Sequence, residues 1–296
     1  MFESFTSHTI PTGNGIEIAA WVAGAGPPLL LLHGFPQTHI CWHKIAPTLA
    51  ERYTVVATDL RGYGLSSKPA GGGDHATYSK RAMADDQVAV MHALGFARFK
   101  VAGHDRGGRV AHRMALDHPH AIERLAVLDI VPTSIMYAAT NRDFAEAYYH
   151  WFFLIQPFDF PERLIGAEPD YFLRRTFESW CKTDGALTAE AMRHYEKAYC
   201  LPGAIHAMCE DYRAAASIDL EHDLADEQAS RRLAMPLLAL WGSRGTVGRL
   251  FDVIATWRDS SQASVTGEAL DCGHFLPEER AEQTLSALLS FYKDGS

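Results

Sequence analysis

Five apolar runs of strand length, each closed by a glycine or a proline, constrain the fold more than any other feature. They are PPLLLLHG, YTVVATDLRG, FKVAGHDRGG, RLAVLDIVP and MPLLALWGSRG. A strand wetted on one face alternates apolar and polar residues, whereas an uninterrupted apolar run belongs to a strand covered on both faces. IEIAAWVAG, which alternates loosely, and QASVTGEALDCGH add further expected strands. Helix-length segments such as ADDQVAVMHALG and EERAEQTLSALLSFYK separate or follow these runs. That rhythm predicts an α/β fold with a mostly parallel central sheet flanked by helices.

The rhythm breaks between residues 132 and 230, where aromatic-rich stretches (YYHWFFLIQPFDF, YFLRRTFESW, HYEKAYC) read as helices and turns. Its place between two core strands predicts an inserted helical cap over the C-terminal edge of the sheet, where open α/β sheets bind ligands. The expected organisation is a first core segment 1–131, a cap 132–230 and a second core segment 231–296. With 47% hydrophobic residues in 296, the chain can bury a core of this size.

A formal net charge of -9 without a long Lys/Arg run argues against nucleic acid or an anionic membrane as partner. The longest apolar stretch is far too short to span a bilayer, and the N-terminal MFESFTSHTIPTGNG lacks a basic flank followed by an apolar run. Five scattered cysteines without a CxxC suit a reducing compartment, so a cytoplasmic location is expected. His39 and His43 are four residues apart but lack a third metal ligand, and no nucleotide-binding pattern is present; no metal or cofactor is expected.

In FKVAGHDRGGRVAHRMA an apolar strand runs through a Gly-x-Asp-x-Gly turn into a helix. Gly103 and Gly107 allow strand and helix to approach across a sharp elbow that exposes the middle side chain, Asp105. A carboxylate there can cap a helix or act as a nucleophile. Two other stretches favour the nucleophile. HGFPQTH can present the N–H of Phe35 beside that of Arg106 as an oxyanion hole, and LDCGHF places His274 after the last expected strand as a general base. Residues 242–248 contain no acid to orient the histidine, whereas RLAVLDIVP ends in Asp129, which takes that role. An aspartate nucleophile attacks sp³ carbon and forms an ester that histidine-activated water then cleaves. Alkyl halides and epoxides suit this chemistry.

Arg106 and Arg109 beside one carboxylate leave positive charge over, as a substrate carrying its own carboxylate requires; pairing with Asp105 itself is the structural alternative. In the cap, His150, Trp151 and Tyr212 offer an imidazole, an indole and a phenol. Three converging donors could cradle a departing halide, but taken alone they read more strongly as an aromatic stripe that packs the cap.

HGFPQTHICW, DLRGYGLSSKP, GHDRGGRVAHRMALDHP, LDIVPT and DCGHF together resemble the α/β-hydrolase superfamily, and specifically its fluoroacetate (haloacetate) dehalogenases. HGFP and DLRGYG are shared with epoxide hydrolases; the Asp-Arg-Gly-Gly-Arg elbow is more specific. The resemblance covers nearly the whole chain, though the cap matches mainly through its His-Trp pair and later tyrosine. It implies cofactor-free hydrolysis of fluoroacetate to glycolate and fluoride by Asp105, His274 and Asp129. It further implies that Arg106 and Arg109 bind the carboxylate, that His150, Trp151 and Tyr212 bind the halide, and that the protein is a homodimer acting on a small haloacid and water. The rival is an epoxide hydrolase, whose cap acids would be Tyr212 with Tyr148 or Tyr149. A haloalkane dehalogenase fits less well, because Arg106 stands where that family usually has a tryptophan.

Overall fold

The computed structural model describes residues 1–293; the end of the expected second core segment, 294–296, lies outside the described residues. Eight strands form one sheet: β1 (Thr6–Gly13), β2 (Ile16–Ala23), β3 (Pro28–Leu32), β4 (Thr54–Thr58), β5 (Phe99–His104), β6 (Ile122–Leu128), β7 (Leu237–Gly242) and β8 (Val265–Leu270). Their spatial order is β1-β2-β4-β3-β5-β6-β7-β8. β1 and β2 are antiparallel to their neighbours, and every pairing from β4 to β8 is parallel. This is the α/β fold expected from the apolar runs. β1 was not among the expected strands; its residues are mostly exposed, as an edge hairpin permits, so its sequence carries no long apolar run.

The central strands are apolar throughout because each contributes to two cores. Leu30 and Leu32 of β3 join one cluster, and Leu29 and Leu31 the other; Leu125 and Val127 against Ala126 and Leu128 divide β6 in the same way. Side chains alternate across a strand, so a run buried on both sides must be apolar at every position. Full burial of each leucine contributes about 1.5–3 kcal/mol. Helices Lys80–Ala93, Arg106–Asp117, Val253–Asp259 and Ala281–Tyr292 lie in the connections and at the C-terminus.

Between β6 and β7 the chain forms eight helices, from Thr133–Ala138 to Ile218–Gln228, and these are the inserted cap. Trp151, Leu173, Tyr195 and Tyr212 of this insertion are buried in the same cluster as Leu30 and Val127 of the sheet. The aromatic density of the segment is therefore what seals cap to core. No helix among the described residues is long and apolar enough to cross a membrane.

The turn from β5 into helix Arg106–Asp117 is possible only with small residues. A Cβ on Gly103 would sit 2.4 Å from the Gly107 carbonyl oxygen, and one on Gly107 would sit 2.3 Å from that of His33. Such overlaps force backbone to move, and overpacking of this kind costs about 1–3 kcal/mol. Gly107→Ala should therefore lower stability by about that amount, measured as a reduced urea midpoint at unchanged slope. An unchanged midpoint would mean the elbow has room that the structure does not show.

Candidate active site

Asp105 occupies the tip of the elbow at φ 46°, ψ -115°. A non-glycine residue held there stores about 1–3 kcal/mol of backbone strain, which the surrounding glycines and strands sustain. One carboxylate oxygen, Oδ2, accepts the N–H of Phe35, in the HGFP loop after β3, at 2.9 Å. Burial alone would raise the Asp105 pKa. The positive charges of His274, Arg106 and Arg109 outweigh it and hold the group below the ordinary carboxylate value.

His274 lies in the loop after β8. Its Nδ1 is 2.6 Å from Asp129 Oδ2, and its Nε2 is 3.9 Å from Asp105 Oδ2, beyond hydrogen-bond reach. Asp129, also at positive φ (54°), immediately follows β6. Its other oxygen, Oδ1, accepts the N–H of Gly242 at 3.0 Å. The acid-free stretch after β7 thus serves the site through its backbone, by fixing the acid supplied by the neighbouring strand. The three residues expected to work together are brought together.

The arginine expectation is altered. Arg106 is fully buried, and its fork grips Asp211 of helix Ala204–Ala215, with Nη2 2.6 Å from Oδ1 and Nε 3.0 Å from Oδ2. Asp211 also accepts the Tyr63 hydroxyl at 2.6 Å and pairs with Lys80. Asp211, not Asp105, is the acid partner of Arg106, so the elbow holds less spare positive charge than two free arginines would supply. Arg109 has a different environment. It donates to the Val131 carbonyl and the Thr133 hydroxyl, and its guanidinium carbon lies 4.8 Å from the Trp151 ring centroid. No carboxylate pairs with it among the described residues. Burial and the charge of Arg106 push its pKa down and outweigh the opposing pull of Asp105.

His150, Trp151 and Tyr212 are all buried and mutually close: the His150 and Tyr212 rings are 5.7 Å apart, and Trp151 and Tyr212 6.4 Å. Arg106 covers the Tyr212 ring at 4.2 Å. Burial lowers the His150 pKa to about 3, so the imidazole is neutral. The three side chains pack the cap and lie close to the elbow. Arg106 Nη1, Arg109 Nε, His150 Nδ1 and His274 Nε2 are buried without a hydrogen-bond partner among the described residues. Buried polar atoms are normally satisfied by protein or water, so these four atoms are open to bonds from water or a ligand.

A cavity of about 370 Å³ opens onto this cluster, with Asp105, Asp129, Tyr148, His150, Trp180 and His274 in its lining. Arg106, Arg109, Trp151 and Tyr212 are not part of that lining and are almost fully buried. Of the two tyrosines weighed for an epoxide hydrolase, Tyr148 is half-buried, whereas Tyr149 is 54% exposed and points its bulk partly to solvent. His39 and His43 are engaged separately. His39 Nδ1 contacts Asp59 and His43 Nδ1 contacts the Ile40 carbonyl, and no group of three or more potential ligands occurs among the described residues.

Several residues around the site were not anticipated. Glu279 accepts the N–H groups of both Gly273 and Phe275, at 2.9 Å each, and so clamps the His274 loop. Its only sequence signal is an acid five residues after the histidine at a helix start. Trp180 accepts the His274 N–H on its carbonyl and places its ring 5.2 Å from the imidazole. Asp211 stood directly beside Tyr212 in CEDYRAA, but nothing in the sequence connected it with residue 106.

Comparison with known proteins places the chain among hydrolases. Residues 27–281 match the family described as alpha/beta hydrolase fold. The chain is 46% identical to the fluoroacetate dehalogenase of Burkholderia sp over 99% of its own length and 96% of that protein's. It is 34% identical to the soluble epoxide hydrolase of Corynebacterium sp. (strain C12), covering 94% of each. Several more distant relatives are also called epoxide hydrolases. Among solved structures, that of an α/β-hydrolase-type protein from Nostoc sp PCC 7120 superimposes with a TM-score of 0.97 at 55% identity, with all of both chains covered.

Burial opposes charging of His274, but the Asp129 hydrogen bond and the negative charges of Asp129, Asp105 and Glu279 prevail and raise its pKa above the ordinary 6.5. A raised folded-state pKa stabilises the fold fully below the unfolded pKa, and that contribution disappears as pH rises through the raised value. Asp129→Asn should move the His274 imidazole titration, followed by NMR, to lower pH. The accompanying stability loss should be largest in mildly acidic solution and should shrink as the wild-type histidine deprotonates. A titration that stays in place in the variant would show that Asp129 does not govern the charge of His274.

Proposed function

Because the chain belongs to the α/β-hydrolase superfamily, we propose that it is a hydrolase with an aspartate nucleophile whose substrate is a small α-haloacid, fluoroacetate in particular. The observation that carries the substrate class is Arg109, a buried guanidinium beside the nucleophile with no acid partner among the described residues. A buried charge is costly unless paired, and a substrate carboxylate supplies the pairing. The unbonded Nε of Arg109 and Nη1 of Arg106 are the two donors for it. The 46% identity to a fluoroacetate dehalogenase supports the same reading.

In the proposed reaction an Asp105 oxygen attacks the α-carbon. The C–O bond forms as the C–halogen bond breaks, and the halide leaves with the electron pair toward His150, Trp151 and Tyr212. The product is a glycolyl ester of Asp105. Neutral His274 then takes a proton from water, which attacks the ester carbonyl; the oxyanion rests where Phe35 now donates to Oδ2. As the tetrahedral intermediate collapses, the ester C–O bond breaks, protonated His274 gives its proton to the departing alkoxide to release glycolate, and the remaining water proton leaves Asp105 for solvent to restore the carboxylate. The 3.9 Å separation of His274 Nε2 from Asp105 suits a base that acts through water instead of directly on the nucleophile.

Epoxide hydrolysis is the second reading. The relatives called epoxide hydrolases favour it, as does Tyr148 in the cavity wall, where burial keeps the phenol protonated and able to donate to an opening ring. The two readings share Asp105, His274 and Asp129 and differ in Arg109, which an uncharged epoxide does not need.

Fluoride release from fluoroacetate, chloride release from chloroacetate and diol formation from a neutral epoxide should be measured on the same preparation. Halide release is expected, and diol formation without halide would establish the second reading. Arg109→Gln should reduce kcat/KM for the haloacid about a hundredfold, as loss of a buried charge-assisted contact does, and change epoxide turnover much less. Asp105→Asn should abolish turnover. With His274→Ala the first displacement should still proceed and leave the ester on the protein, visible as added glycolyl mass by intact-mass measurement. A folded, substrate-binding His274→Ala variant without added mass would overturn the two-step scheme.

A further inference from the structure

We infer that two unpaired cations at the mouth of the catalytic cavity, Lys182 from the cap and Arg249 from the core, draw the anionic substrate into a molecule that otherwise repels it. The inference rests on the haloacid reading of the site.

The problem is set by the overall charge. At a formal -9 the molecule repels a small carboxylate, and the cavity floor adds Asp105 and Asp129. Within the same lining, however, stand Lys182, Arg244 and Arg249, with Glu146 as the remaining acid. Arg244 is ion-paired with Asp271 at 3.0 Å, and Glu146 with Arg142 at 2.7 Å, so these two largely cancel. Lys182 and Arg249 have no acid partner among the described residues. Among the described residues the Lys182 ammonium donates only to the Ser179 carbonyl, which leaves its charge without an acid partner. It follows helix Pro169–Trp180, while Arg249 sits on the short helix Thr246–Leu250 after β7, so cap and core each contribute one cation to the mouth. The charge of Arg249 reaches inward to Tyr148 in the wall.

Other cavities do not share this pattern. One of about 330 Å³ carries Arg231 and Arg232 against Asp223, Asp226, Glu227 and Asp259. Another of about 390 Å³ carries the Met1 ammonium and Lys197 against Glu3 and Asp59. The exposed rim of the catalytic cavity carries Lys182, Arg244 and Arg249 against Glu146, its remaining acids being the floor carboxylates Asp105 and Asp129, whereas the first of these cavities is acidic and the second is balanced. A cleft with low-dielectric walls and a rim of one sign focuses the field and raises the local concentration of the opposite ion, by ten- to a thousandfold in strong cases. Two partly screened charges within a Debye length, about 10 Å at 0.1 M salt, account for a smaller factor.

The test uses kcat and KM for the haloacid across ionic strength in the wild type, in Lys182→Gln/Arg249→Gln and in the charge-reversed Lys182→Glu/Arg249→Glu. A control, Arg193→Gln/Arg258→Gln, makes the same change in net charge at exposed positions outside the cavity lining. At low salt the neutralised variant should lose about three- to tenfold in kcat/KM, through KM, with kcat within about twofold. The reversed variant should lose more, and the salt dependence of the wild type should flatten or invert, while the control stays close to wild type. Equal salt dependence in wild type and neutralised variant, or an equal loss in the control, would overturn the steering role and leave the haloacid reading intact. Absence of haloacid turnover by the wild type would overturn both.

Discussion

The ion pair between Arg106 and Asp211 fixes how the two layers of the molecule meet. Arg106 opens the helix behind the elbow and Asp211 belongs to a cap helix, and neither side chain is exposed. Removing two such charges from water costs several kcal/mol each, which only close geometry and further hydrogen bonds offset. The fork of Arg106, the Tyr63 hydroxyl and Lys80 provide both on Asp211. An apolar interface would tolerate sliding of cap against core. A forked ion pair does not, because a small shift leaves a buried charge unpaired. Tyr212, the next residue along the same helix, is thereby held over the guanidinium and facing the elbow.

Backbone geometry completes the positioning. Asp105 and Asp129 both lie at positive φ, immediately after neighbouring parallel strands. Parallel strands end at the same edge, so two acids that are 24 positions apart in the chain emerge side by side. Their pairing partners come from the loops after β3, β7 and β8: the Phe35 N–H on Asp105, and the Gly242 N–H and His274 on Asp129. The site is thus assembled from the ends of five strands at one sheet edge, and its precision derives from the register of the strands beneath. Burial then sets the charge states. It keeps His150 neutral, while the neighbouring acids overcome it at His274 and the neighbouring cations overcome it at Asp105.

Sequence reasoning succeeded where one local pattern has one physical meaning. Continuous apolar runs specify strands buried on both faces, and the elbow glycines specify a close crossing that the distances to Gly107 and His33 bear out. Local reading also put forward Asp129, since the loop after β7 has no acid to offer, and Asp129 lies 2.6 Å from His274. It was less successful with β1, whose exposed residues leave no apolar signature, and with the arginines. Their proximity to Asp105 along the chain suggested two similar cations, but one is neutralised by Asp211 from the cap and the other is not.

The sequence by itself determined the sheet, the insertion and the identity of the residues at the elbow, because strand burial and tight turns depend on neighbours a few positions away. Only the tertiary structure decided which charges are compensated. Ion pairing depends on contacts between residues such as 106 and 211 or 274 and 129, whose separation in the chain carries no information about their separation in space, and burial makes those contacts strong enough to divide two adjacent arginines into a structural one and an unpaired one.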